Sequence, residues 1–205
     1  MRTHHVLAVL SAAVALGCSF TPKARNMIPS AVKLDKTYDG AVRVVVVGEP
    51  RMEQKYTIVA KAEMESALRA AIERSGLFRR VDDATNDGFE LQVRVLGYEP
   101  PTAAFDRTVV MTTRWELTRL PAGDVVVEDF LKTSYTATVG DAFVGQIRIR
   151  KANEGVVRTA IAEGLRRIST VSSNRVPSAG GEASRRSAQA VLLPARARRY
   201  AAAPW

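Results

Sequence analysis

Two segments in the middle of the chain alternate apolar with polar residues. In Phe89–Val95 every second residue is apolar, and the same period of two continues through Val109–Leu117. This period buries one face of a strand and leaves the other in solvent. The cluster Leu120–Asp124, which contains Pro, Gly and Asp, separates the second segment from a third, Val125–Ala137. The last two segments are therefore predicted to form an antiparallel hairpin.

One more strand and two helices are predicted on either side of these segments. Ala41–Val47 is a β-branched run closed by a Gly-Glu-Pro turn, which indicates a first strand. Ala60–Ser75 is rich in helix formers and carries an apolar stripe of Met64, Leu68, Ala71 and Ile72. Gly76 follows as a C-cap, with Leu77 and Phe78 folding back on the core. Ile149–Ser169 carries a similar stripe of Val157, Ile161, Leu165 and Ile168.

The order of elements is β-α-β-β-β-α, which predicts an α+β fold. We expect a two-layer sandwich, in which a mostly antiparallel sheet of about four strands carries both helices on one face. Met111 and Trp115 lie at inward positions of the strand alternation. We interpret them as core residues rather than ligand contacts.

The N-terminus is predicted to be a signal peptide over residues 1–17. A basic start is followed by the apolar run Val6–Leu16 and then by Cys18, the single cysteine of the chain. The run is too short to span a membrane permanently, because a spanning helix needs about 20 apolar residues. A buried core helix, or ordinary secretion with a leftover or unpaired thiol, are the alternatives.

The sequence Ala15-Leu16-Gly17-Cys18 resembles the lipobox of bacterial lipoproteins, although that family usually has Leu three places before the cysteine, where this chain has Ala15. The resemblance implies that Cys18 carries a diacylglycerol and an N-acyl chain such as palmitate, which would anchor the protein to the membrane. Ser19 stands where aspartate favours inner-membrane retention, so we expect the outer membrane, facing the periplasm. Residues 18–40 are predicted to be a lipidated flexible tether, and residues 41–171 a periplasmic domain.

The formal net charge of +9 belongs mainly to the C-terminus. Residues 172–205 contain six arginines and one acidic residue, whereas residues 18–171 contain 23 basic and 20 acidic residues. The interspersed charges of the body argue against a nucleic-acid partner. Residues 172–205 are predicted to be a disordered tail, with a basic membrane-surface segment or an unselected extension as alternatives.

The predicted mature protein lacks histidine and a free cysteine, two side chains that often serve in catalysis. Its only histidines, His4 and His5, lie in the predicted signal peptide, and Cys18 would be acylated. The sequence therefore predicts no histidine-based catalytic triad, no zinc site and no phosphate-binding glycine loop. Asp82, Asp83 and Asp87 form the densest carboxylate cluster, but these are ordinary turn residues. We therefore expect no enzyme activity, no catalytic residue, no metal and no cofactor.

Taken together, several segments resemble those of small envelope lipoproteins of Gram-negative bacteria. They are the lipobox, Ser75–Val81, Phe89–Val95 and Glu154–Arg158. The similarity is architectural, to the auxiliary lipoproteins of ABC-type lipid transporters and to lipopolysaccharide-assembly lipoproteins. It implies a non-catalytic accessory or binding component of an envelope transport or assembly system, with an envelope protein as partner. The alternative is a structural envelope lipoprotein without a transport partner; no ligand-binding residue is identified.

Overall fold

A computed structural model of the 205-residue chain describes residues 21–48, 50–52, 56–101 and 105–171. The predicted signal peptide, Cys18 and the predicted tail over residues 172–205 lie outside these ranges. The helices are α1 (Ala24–Met27), α2 (Lys61–Ser75) and α3 (Gly145–Thr170). The strands are β1 (Tyr38–Val47), β2 (Arg51–Met52), β3 (Tyr56–Thr57), β4 (Phe78–Val81), β5 (Gly88–Glu99), β6 (Arg107–Leu120) and β7 (Asp124–Ala137).

The α+β class is confirmed, but the sheet is mixed and has five strands, in the order β4-β1-β5-β6-β7. The strands β5, β6 and β7 run antiparallel, as expected for the hairpin. By contrast, β1 is parallel to both of its neighbours, β4 and β5. The prediction of about four mostly antiparallel strands was wrong in these details. A short hairpin of β2 and β3 forms a second sheet.

The strand β4, which the prediction lacked in the main sheet, has only four residues. Of these, Phe78 is buried, whereas Arg79 and Arg80 are exposed. The segment lies at the edge of the sheet, so it has neither the length nor the alternation that a sequence pattern needs. The prediction that Leu77 and Phe78 return to the core is confirmed, because they are 0% and 4% exposed.

One face of the five-stranded sheet forms the core. The register pairs Val42 with Phe89, Val44 with Leu91, and Val93 with Trp115, and all six side chains are buried. Met111 also lies in this core, as predicted. The helix α2 contacts β1 and β4, and α3 contacts β6 and β7, so the two helices together cover the sheet.

The opposite face of the sheet carries balanced charge; we call it the open face. Arg43 pairs with Glu90 across β1 and β5. The Arg114 guanidinium pairs with Glu116 and lies 2.8 Å from Glu128 Oε1 on β7. Such partly exposed surface pairs contribute little to stability, about 0–1 kcal/mol each. Their main effect is to keep this face polar.

The helical phases follow the predicted stripes. In α2, Leu68 is 2% exposed, and Gly76 ends the helix with a left-handed φ of 67° that glycine adopts without strain. In α3, Leu165 is 0% exposed. This helix begins at Gly145, four residues before the predicted start at Ile149.

The residues before β1 differ most from the prediction. Met27 in α1 is completely buried, and the backbone N–H of Asp35 donates to Ser169 Oγ at 3.1 Å. Val32 and Leu34 also pack against the core. Residues 21–37 thus lie along the domain, where a flexible tether over residues 18–40 was expected, and β1 begins at Tyr38 instead of Ala41. Burial of their apolar side chains contributes to holding them there.

Connections between elements converge at one end of the sheet. The strands β1, β5 and β7 end there, and β6 begins there, as their pairing requires. The segments that lead from β1 to α2, from β5 to β6 and from β7 to α3 therefore share this end. We call it the loop end.

Candidate functional site

The carboxylate cluster predicted at Asp82, Asp83 and Asp87 forms a turn. The Asp82 carboxylate accepts hydrogen bonds from Arg80 and from the backbone N–H of Ala84, both at 3.1 Å. Asp83 instead pairs with Arg69 of α2, at 2.6 Å. The two neighbouring carboxylates therefore have separate partners, which fits the turn interpretation. Among the residues that the structure describes, there is no group of three His, Cys, Asp or Glu side chains that could bind a metal ion.

The predicted lipidation residue Cys18 lies outside the described residues, as do His4 and His5. The nearest described residue, Thr21, follows Cys18 by three positions. The structure therefore shows where the chain that follows Cys18 enters the domain.

This entry point is fixed by two carboxylates on different helices. Glu63, in the first turn of α2, accepts a hydrogen bond from the backbone N–H of Ala24 at 2.6 Å and pairs with Lys23 Nζ at 3.3 Å. The Ala24 N–H holds the pKa of the Glu63 carboxyl below its ordinary value. Glu154 of α3 accepts from the backbone N–H of Lys23 at 3.1 Å. The entering chain is thereby attached to both helices.

Glu154 is the more unusual of the two because it is 4% exposed. Its Oε1 also accepts a hydrogen bond from Asn26 Nδ2 at 2.9 Å, and Arg150 Nε lies 3.9 Å away. A buried carboxylate needs such donors to compensate for its lost hydration. Glu154 therefore has a structural role in positioning α1.

A basic cleft opens between α1, α3 and the end of β7. Its volume is about 540 Å³. It is lined by Arg25, Asn26, Ile28, Tyr135, Asp141, Arg150, Lys151, Glu154 and Arg158. Four cations thus face two carboxylates, which gives the cleft a net positive charge.

Several side chains of the basic cleft are held in place. Arg158 donates to the backbone carbonyl of Asn26 at 2.9 Å and lies 5.5 Å from the centre of the Tyr135 ring. Lys151 Nζ donates to the backbone carbonyl of Asp141. The Asp141 carboxylate accepts from the backbone N–H of Thr138, which lowers the pKa of Asp141. The cleft can attract an anion, but it holds no paired acid and base.

Sequence reasoning missed the basic cleft. Its members extend from residue 25 to residue 158, and only the packing of α1 on α3 brings them together. The sequence contains one signal of this cleft, a cluster of charged residues at helical spacing in α3. Its members are Arg150, Lys151, Glu154 and Arg158.

Large apolar side chains are exposed at the loop end. Phe105 is 83% exposed and lies two residues before β6. Val139, two residues after β7, is 42% exposed, while Phe143 and Val144, just before α3, are 89% and 50% exposed. Arg107 and Ala137 are partners in the sheet, so the segments that carry Phe105 and Val139 start side by side.

A cavity inside the domain is much smaller than the basic cleft. This cavity of about 10 Å³ lies between the sheet and the two long helices, next to Met64, Trp115 and Ile161. A cavity of this volume is at the lower limit for a single water molecule. It is therefore a packing gap and cannot hold a lipid. Within the described ranges, no helix has both the length and the apolar character for crossing a membrane.

Comparison with known proteins informs the fold. The sequence matches no family model and no curated protein. Among solved structures, the chain is similar to protein XCC0632 from Xanthomonas campestris, of the family DUF330, with a TM-score of 0.53 and 12% identity over 68% of this chain and 90% of that chain.

Two further solved structures are similar at lower TM-scores. One is a minor lipoprotein from Acinetobacter baumannii, with a TM-score of 0.44 and 13% identity over 63% of this chain and 92% of that one. The other is a PelC dodecamer from Paraburkholderia phytofirmans, with a TM-score of 0.44 and 16% identity over 68% and 93%. At these identities only a fold can be compared, and the chain shares the α+β fold of XCC0632.

Proposed function

We propose that the protein is a bacterial envelope lipoprotein, anchored through acyl chains on Cys18. In this role it is a non-catalytic accessory or binding component of a transport or assembly system. The observation that carries the proposal is the position of the single cysteine, directly after Val6–Leu16 and a glycine. More than one acyl chain gives stable attachment, because each buried methylene contributes about 0.8 kcal/mol.

The arrangement of the domain supports a binding role over catalysis. The basic cleft and the open face are accessible polar surfaces, whereas the predicted acidic cluster at Asp82 and Asp83 is engaged in a turn. General acid-base chemistry near neutral pH most often uses histidine, and both histidines precede Cys18. An envelope protein is the partner that this accessory role implies.

Substitution of the anchoring residue tests the proposal. Cys18→Ser should abolish incorporation of labelled palmitate and release the protein from the membrane fraction. Ser19→Ala is the matched control, since it changes the adjacent residue and should preserve lipidation. Unchanged labelling of Cys18→Ser would refute the lipoprotein assignment.

Sorting and partnership require separate measurements. If Ser19 permits export to the outer membrane, Ser19→Asp should move the protein to the inner-membrane fraction. Crosslinking in cells, followed by purification from detergent, should recover components of a transport or assembly system. Recovery of peptidoglycan alone would replace the accessory role with the structural one.

A further inference from the structure

The anchor and the domain are joined by a very short connection. Only three residue steps separate Cys18 from Thr21, and three extended residues reach at most about 11 Å. From Lys23 onward the backbone is bonded to Glu154 and Glu63. If Cys18 carries lipid, as proposed above, the domain therefore lies against the bilayer rather than at a distance from it.

The attachment point also determines which part of the domain faces the bilayer. Glu63 belongs to the first turn of α2, which is connected to the loop end of β1 through the β2–β3 hairpin. The chain that comes from Cys18 therefore joins the domain next to the loop end. This is the end that exposes Phe105, Phe143 and Val144.

Exposed aromatic and apolar residues of this kind are favoured at a membrane interface. Phe143 and Phe105 are the two most exposed of the large hydrophobic residues that the structure describes. Such side chains lose unfavourable contact with water when they enter the region between headgroups and acyl chains. Their position on adjacent connections would allow them to enter together.

The charge of the neighbouring surface is complementary to anionic lipid. The basic cleft has Arg25 on α1 and Arg150, Lys151 and Arg158 on α3, beside the attachment point. Of the two carboxylates in the cleft, Glu154 is buried and Asp141 accepts hydrogen bonds from Thr138. A basic surface close to a bilayer is attracted to anionic headgroups within about a Debye length, roughly 10 Å.

From these relationships we infer that the loop end docks on the surface of an anionic phospholipid bilayer. Phe105 and Phe143 enter the interface, and the basic cleft faces the lipid phosphates. The inference depends on the proposed lipid anchor. It adds a fixed orientation of the domain. In this orientation the open face of the sheet does not contact the membrane and is accessible to a partner.

A single-label experiment tests the orientation in the mature lipoprotein. Once Cys18 is acylated, Phe143→Cys supplies the only free thiol, which can carry an environment-sensitive dye. Phe130→Cys is the matched control, because Phe130 is 57% exposed on the open face. Each labelled protein is reconstituted into phosphatidylcholine vesicles with phosphatidylglycerol and nitroxide-labelled lipid.

Nitroxide lipid should quench the dye at position 143 several-fold more than the dye at position 130. Equal quenching at the two positions, or quenching only at position 130, would overturn the proposed orientation. Failure of the anchor is recognised separately: an unmodified Cys18 takes up a second dye, which mass spectrometry detects. The two failures are therefore distinguishable.

The charge requirement is tested with paired substitutions. Arg25→Gln with Lys151→Gln should reduce the quenching at position 143 and its dependence on phosphatidylglycerol. Arg79→Gln with Arg80→Gln is the control, because it removes the same charge from exposed positions on β4, at the opposite end of β1. It should leave the quenching and its dependence on phosphatidylglycerol unchanged. An equal effect of the two pairs would contradict a role for the basic cleft.

Discussion

Gly164 of α3 lies directly against the indole of Trp115 in β6. A Cβ atom at position 164 would lie 2.5 Å from Trp115 Cε2, closer than side-chain atoms approach. The Trp115 ring is 1% exposed, so it has little room to move. We expect Gly164→Ala to lower the free energy of unfolding by about 1–2 kcal/mol. Overpacking costs about 1–3 kcal/mol, and alanine regains up to about 1 kcal/mol of helix propensity.

Chemical denaturation of the variant measures this effect, and Gly145→Ala is its control in the same helix. The nearest atom to a Cβ at position 145 is Arg148 Nη2, at 3.9 Å, which is an ordinary contact. Gly145→Ala should therefore be neutral or slightly stabilising. A neutral Gly164→Ala would mean that α3 is not held tightly on β6.

Core truncations should identify the apolar stripes of the two long helices. Leu68→Ala in α2 and Leu165→Ala in α3 each remove a side chain that is at most 2% exposed. Each should lower the free energy of unfolding by about 2–5 kcal/mol, because a cavity remains after truncation. Ala62→Gly, at an exposed position of α2, should cost no more than about 1 kcal/mol. Similar losses at all three positions would contradict the observed helical phases.

Tyr98 gives a pH dependence of stability on the alkaline side. Burial raises the pKa of its hydroxyl from 10.0 to about 12, and the hydroxyl donates to Asn153 Oδ1 at 2.7 Å. Because the pKa is higher in the folded state, the contribution is complete below pH 10 and is lost as the pH rises towards 12.

Tyr98→Phe should therefore flatten the fall in stability between pH 10 and 12, as measured by urea unfolding at a series of pH values. Some slope should remain, because burial also raises the pKa of Tyr38. An identical alkaline slope in the variant and the parent protein would show that Tyr98 ionises normally.

Glu154 should control the attachment of the N-terminal segment. In Glu154→Ala the Lys23 N–H and the Asn26 amide lose their acceptor, so we expect a loss of about 1.5–3 kcal/mol. Limited proteolysis should then cut residues 21–37 earlier than in the parent. Glu73→Ala, at an exposed position of α2, should not change the cleavage pattern. Unaltered cleavage of Glu154→Ala would show that the other contacts of this segment, those to Glu63 and to the apolar core, are sufficient to attach it.

The non-catalytic role proposed above predicts no response to chelators. The melting temperature of the protein should be the same with and without EDTA, and a hydrolase panel should detect no turnover. A shift of several degrees would reveal a metal site. If turnover is detected and the double variant Asp82→Asn, Asp83→Asn abolishes it, the turn that carries these residues is an active site.

Local patterns predicted the elements well because periodicity depends on near neighbours in the chain. Alternation in Phe89–Val95 and Val109–Leu117 identified β5, β6 and the buried position of Trp115. The stripes through Leu68 and Leu165 identified the buried sides of α2 and α3. None of these assignments needed a distant contact.

The composition of residues 21–37 was misleading because burial there depends on a partner that is far away in sequence. Met27 is completely buried, and the helix α1 that carries it contacts both long helices. Lysine, proline and asparagine in this segment suggested a tether, yet Lys23 and Asn26 bond to Glu154, more than one hundred residues away.

The sequence by itself determined the two long helices and the four long strands, and it determined the buried side of β5, β6, α2 and α3. Tertiary structure alone decided that β1 is parallel to β4 and β5, that α1 attaches to α2 and α3, and that the basic cleft forms. The physical reason is the range of the interactions. Local periodicity fixes which side chains are apolar together, whereas strand order and helix placement depend on how distant surfaces fit and on where buried polar groups find partners.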